Sequence, residues 1–156
     1  YSGQTERLQM LDLLCDSINA ASETNAVTYA GLEAIYKNTS GTLFGSSKDL
    51  YSKTYASDQQ YFLDLLKKID TTTTNKSGYL AGSYYVTADG LEIDQLVQKG
   101  LMGAVLYYQA TSDYLENLGT DDNTNAGGAT ATDMEHHFDE GIQRWRQNFG
   151  LAPFLG

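Results

Sequence analysis

The chain has 156 residues, 41% hydrophobic and 12% aromatic, with a formal net charge of −10. That length and composition suit one folded domain with a sizeable core. The negative charge argues against nucleic-acid backbones and anionic membrane surfaces as partners. No run of about 18 apolar residues is present, so no helix is expected to span a membrane, and the single cysteine, Cys15, rules out an intrachain disulfide.

Residues 5 to about 21 carry Leu8, Leu11, Leu14, Cys15 and Ile18 at spacings of three and four. This is an amphipathic helix in which Cys15 reads as a small buried hydrophobe. Thr28 is placed as the N-cap of a shorter helix reaching Asn38, with Leu32, Ile35 and Tyr36 inward. Residues 38–45, with two glycines, read as a loop. Ser46 and Asp49 have the spacing of a capping pair for a short helix over 47–53. Ser57 and Gln60 repeat it before the apolar run of Tyr61, Phe62, Leu65, Leu66 and Ile69. The polar, β-branched run Thr71-Thr72-Thr73-Thr74-Asn75 predicts a loop, and residues 79–87 a brief strand or an extended crossing segment.

The longest helix is expected from Asp89 to about Leu118, with Asp89 as N-cap, Glu92 at N3 and Gly119 at C′. Gly100 and Gly103 lie inside it, each costing about 1 kcal/mol against alanine, which points to close approach of a neighbouring helix or, second, to a kink. Residues 120–131 are acidic and glycine-rich but lack the calcium-loop spacing. Thr132 and Glu135 form a capping box for a last helix from Asp133 to about Gln147, with a tail over 149–156. The sum is an all-α fold of about five helices, a single domain over 1–156, with long Thr- and Gly-rich loops.

The last helix holds the only two histidines. On it His136 and Glu140 are four apart, while His136 and Asp139, like His137 and Glu140, are three apart, so imidazole and carboxylate share a face. With Glu135 nearby, these types suit iron or zinc, though two or three ligands are fewer than a site needs. Glu92, Gln95 and Lys99 form a second polar ridge at helical spacing, either a solvated face or a face turned to a partner helix where Glu92 adds a metal oxygen. No H-E-x-x-H, G-x-S-x-G, phosphate-loop or dinucleotide pattern is present, which favours binding over catalysis and argues against a peptidase.

Four patches together resemble a known family: Tyr1 to Leu8 with Met10-Leu11, Gly90-Leu91-Glu92 with Gln95, Lys99 to Ala104, and Met134-Glu135-His136-His137. The family is DUF4856, grouped with the imelysin-like proteins of Bacteroidetes, which are exported and often lipoproteins. The resemblance implies an imelysin-like helical bundle in the periplasm or at the outer membrane or cell surface, linked to iron acquisition. It also implies a role for the H-x-x-E element, matched by His137-Phe138-Asp139-Glu140. The imelysin pattern has glycine two residues before its histidine, where this chain has Glu135. The family domain is longer, so the chain reads as a piece of it or a short member.

The expectation is an exported binding protein that captures iron, another metal or a metal chelate near His137 and Glu140. The alternative is an interaction lipoprotein docking an outer-membrane receptor or surface complex, with no metal role. Asn38 and Asn75 begin N-x-[ST] patterns, and Thr71 follows Asp70 as in Bacteroidetes O-glycosylation, so all three are candidate glycosylation sites.

Overall fold

The computed structural model describes residues 2–124 and 131–148, with the side chains of 2, 4 and 143–148 left aside. The expected tail over 149–156 and the glycine pair at 127–128 lie outside the described residues. The fold is all-α: α1 (Ser2–Asn19), α2 (Tyr29–Tyr36), α3 (Ala56–Thr74), α4 (Ile93–Leu101) and α5 (Asp133–Asn148), with one small hairpin of β1 (Tyr79–Ala81) and β2 (Tyr84–Val86). The chain divides into two compact units between Leu101 and Met102.

In the first unit α1 packs against α2 and α4, and α3 against α2 and α4. Met10, Leu14, Ile18, Leu32, Leu66, Ile69, Ile93, Val97 and Leu101 are all at most 3% exposed. The stripe on α1 is turned slightly from the expected one, since Leu8 is half-buried and Arg7 is buried. Arg7 Nε donates to the Asp49 carbonyl at 3.1 Å. Tyr36 is fully buried among Tyr51 and Phe62, and its hydroxyl donates to Thr54 Oγ1 at 2.8 Å. Burial pushes its pKa up to about 12.

Thr28 caps α2 as expected, accepting from the Gly31 amide at 3.2 Å. A second acceptor comes from α3, where Asp70 Oδ2 takes the Tyr29 amide at 2.8 Å. The threonine run is not a loop but the last turn of α3. Its hydroxyls bond back along the helix, Thr72 to the Lys68 carbonyl at 2.7 Å and Thr73 to the Ile69 carbonyl at 3.0 Å, so buried hydroxyls are satisfied without leaving the helix. The short helix expected over 47–53 is only a 3₁₀ turn, Tyr51–Lys53, where Asp49 Oδ1 accepts the Ser52 amide. Ser46, its expected cap, hydrogen-bonds Glu6 instead.

The segment over 79–87 supplies its own partner strand. Tyr79 pairs with Val86 and Ala81 with Tyr84, with Gly82 at φ 66 in the two-residue turn. The long helix expected from Asp89 starts only at Ile93, because Gly90 takes φ 80 and the loop before α4 closes on Thr87. Beyond Leu101 the second unit continues in π-helical turns, Met102–Tyr107 and Gln109–Tyr114, and a 3₁₀ turn, Leu115–Asn117. Gly119 does not adopt the positive φ of a C′ glycine. Within this unit α5 packs on the π-helical turns, with Gly141 close enough to Leu115 that a Cβ would stand 3.0 Å from its side chain. The Gln109 carboxamide is fully buried and without a partner among the described residues.

Among the candidate glycosylation positions, Asn38 is excluded in the folded chain. It is 5% exposed, and its amide donates to the Ser46 and Lys48 carbonyls, both at 2.7 Å. Its Oδ1 accepts from the Leu43 amide at 3.1 Å, so the side chain organises its loop from within. Thr71 and Asn75 are exposed.

Candidate functional site

A groove of about 560 Å³ opens in the first unit, lined by Tyr61 of α3 and by Leu91, Glu92, Gln95, Leu96 and Lys99 along α4 and its entry. Two local devices build it. The first is the contact of α3 with α4 at Gly100, where a Cβ would stand 2.8 Å from the Phe62 ring. The expected use of a mid-helix glycine for close approach holds at Gly100 but not at Gly103, whose Cβ position is open among the described residues. Phe62, buried there, meets Tyr61 edge-on with centroids 5.4 Å apart, and Tyr61 stays 51% exposed over the groove.

The second device is the loop before α4. The Thr87 hydroxyl donates to Asp89 and accepts the Leu91 amide at 2.9 Å, while the Thr87 amide donates to the Leu91 carbonyl at 3.1 Å. Lys68 of α3 reaches Asp89 Oδ2 at 2.9 Å from outside. The Thr87 hydroxyl and then Lys68 hold the Asp89 carboxyl down at about 2. This clasp sets Leu91 and Glu92 at the mouth of the groove. The Tyr79 hydroxyl lies over Gly90, 3.5 Å from where a Cβ would stand.

The expected ridge of Glu92, Gln95 and Lys99 is thus a groove wall. Behind it Asp94 is 5% exposed and accepts from Gln95 Nε2 at 3.1 Å, leaving Gln95 Oε1 and one amide hydrogen to offer. Tyr61 and the clasp were missed in the sequence. Tyr61 sat in an apolar run where a core role was the simple reading, and the clasp depends on a positive φ that no spacing rule reports.

The histidine cluster lies in the second unit. The capping box forms in both directions, with the Glu135 amide donating to Thr132 Oγ1 at 3.2 Å and the Thr132 amide to Glu135 Oε2 at 2.9 Å. Thr132 Oγ1 also donates to Asn123 Oδ1 at 2.9 Å. His137 Nδ1 is 2.7 Å from Asp121 Oδ2 in the preceding loop, and its ring lies 5.5 Å from that of Tyr114 and 5.9 Å from that of His136. The carboxylate bonded to His137 is therefore Asp121. Glu140 is buried at 7% exposure, whereas Glu135, His136 and Asp139 are exposed. Sequence spacing could not find Asp121, because helical arithmetic relates only residues on one helix.

These donors do not fit a bare metal ion. Glu135 is engaged in the cap, and among the described residues no three His, Cys, Asp or Glu side chains stand together as a ligand group. The remaining ionisable candidate, Cys15, is 5% exposed, and burial first, then Asp94, Asp12 and Asp16, pushes its thiol up to about 12.

The family model described as Domain of unknown function (DUF4856) matches residues 70–143. Over this segment the chain is similar to the DUF4856 family. The match runs from the last turn of α3 through the hairpin, α4 and the π-helical turns into α5, and so holds both the groove wall and the histidine cluster. Tyr61 lies outside the DUF4856 segment. No match to the chain is found among curated proteins or solved structures.

Proposed function

We propose that the chain is the non-catalytic binding module of an exported, imelysin-like protein of the periplasm or cell surface, and that it holds a small organic ligand in the groove between α3 and α4. The observation that carries this is the groove, which an exposed aromatic and two leucines line together with Glu92, Gln95 and Lys99. Such apolar walls with a few placed polar groups are the usual make-up of small-molecule sites, and the volume lies in their range of roughly 300–1,000 Å³. Iron or another metal enters this reading as a chelate carried by its organic ligand, since the donors around His137 are too few for a bare ion.

Purified protein is extracted under denaturing conditions and assayed by mass spectrometry and elemental analysis. Tyr61→Ala is expected to lose the bound compound and any metal, while the double variant His137→Ala with Glu140→Ala retains both. The reverse pattern overturns the groove and returns the metal to the histidines. The second reading, an interaction lipoprotein docking an outer-membrane receptor or surface complex, is favoured by the hairpin. There Tyr79, Leu80 and Tyr84 are 41–55% exposed on three-residue strands. It predicts a co-purifying protein lost on Leu80→Ser with Tyr84→Ser.

A further inference from the structure

Glu92 and Lys99 bracket the groove from opposite ends of the ridge. At 1.5 Å per residue their Cα atoms are about 10 Å apart. Among the described residues neither side chain makes a hydrogen bond or an ion pair, with the other or with a third group. Gln95 lies between them on the same face, three residues after one and four before the other. Its donor is partly committed to the buried Asp94 carboxylate. The wall therefore presents an anion, an amide and a cation in line, beside the apolar surface of Leu91, Leu96 and Tyr61.

From that order of charges we infer that the groove takes a short peptide with free termini, extended along α4. Its ammonium meets Glu92, its backbone meets Gln95, its carboxylate meets Lys99, and an apolar side chain lies on Tyr61 and Leu96. An extended chain spans at most about 3.3–3.6 Å per residue, so roughly three residues match the spacing of the two positions. Capture of both termini gives the register through charge complementarity, and the aromatic wall supplies contact area. The inference rests on the groove being the binding site.

The test is calorimetric titration of the intact chain with the tripeptide Ala-Leu-Ala, its N-acetylated form and its C-amidated form. The free tripeptide is expected to bind with a Kd below about 1 mM. Acetylation and Glu92→Gln are each expected to weaken it about tenfold or more, and amidation and Lys99→Met likewise, as loss of a charge-assisted contact requires. The decisive readout is the pairing. Glu92→Gln costs the acetylated peptide nothing further, and Lys99→Met costs the amidated peptide nothing further. Equal binding of free and blocked peptides, independent losses in those pairs, or no heat at millimolar tripeptide overturns the peptide assignment. If a different compound is extracted from the protein and is lost on Tyr61→Ala, the groove stands without the peptide. If Tyr61→Ala changes no binding at all, both fall.

Discussion

His137 Nδ1 stands 2.7 Å from Asp121 Oδ2, a contact across sixteen residues that ties α5 to the loop before it. The same loop meets the helix again where Asn123 accepts from the Thr132 hydroxyl. The first turn of α5 is therefore held by a reciprocal cap and by two tertiary contacts. Thr132→Ala is expected to cost about 1 kcal/mol through loss of the cap, and Asp121→Ala up to about 1 kcal/mol as a partly exposed pair. Amide hydrogen exchange at Glu135 and His136 reads both. Unchanged protection in Thr132→Ala would refute the capping role.

Gly100 and Gly103 respond to alanine with opposite signs. At Gly100 the added methyl meets the buried Phe62 ring, and overpacking of this kind costs about 1–3 kcal/mol, more than the roughly 1 kcal/mol gained in helix propensity. At Gly103 no atom of the described residues lies within 4 Å of the new atom, so the propensity gain stands alone. Thermal melts of the two variants should move in opposite directions from the parent. A rise in both would place Phe62 somewhere other than against Gly100.

Asn38→Ala should be among the most destabilising single changes in the first unit. It removes the donor to two carbonyls, Ser46 and Lys48, and puts a side chain ill-suited to φ 44 at that position. A loss of about 3 kcal/mol follows in denaturant unfolding. Peptide mapping of the native protein should find no glycan on Asn38, whatever the state of the exposed Thr71 and Asn75.

Cys15 should resist thiol reagents in the folded chain. The thiolate is the reactive form, and burial with three nearby aspartates sets its pKa at about 12 against the ordinary 9.0. At pH 8 labelling with a disulfide-exchange reagent should proceed only after addition of denaturant. Rapid stoichiometric labelling without denaturant would contradict the packing of α1.

The clasp at Asp89 should survive well into acid. Its carboxyl titrates at about 2 in the folded chain against an ordinary 3.8, because the ionised form accepts from Thr87 and Lys68. A depressed folded pKa means that the contribution is fully present above about pH 4 and is lost as pH falls through about 2. Carbon-detected titration of the Asp89 carboxyl gives the midpoint directly, and a midpoint near 4 would dissolve the clasp.

Much of the helical architecture was legible because apolar side chains recur at three and four, and because Thr28 and Thr132 carry their caps in local sequence. What escaped depends on partners distant in the chain or on backbone angles. Thr72 and Thr73 read as loop residues until their hydroxyls are seen bonded within the helix. The start of α4 was misplaced by four residues, since Asp89 and Glu92 have cap spacing while Gly90 turns the chain away. The groove wall was visible as a ridge, but its hollow was not, because Tyr61 approaches from another helix. For the histidines the local rule pointed to Glu140, and the contact came from a loop with no periodicity to read.

The bond from Asp70 to the Tyr29 amide has a consequence for how the chain is made. An eight-residue helix such as α2 is too short to persist alone in water. One of its first amides waits for a carboxylate 41 positions further along. As the polypeptide leaves the ribosome, the segment that becomes α2 emerges well before its acceptor and stays unformed until the end of α3 follows. The first unit then assembles late and in one step, rather than helix by helix from its N-terminus.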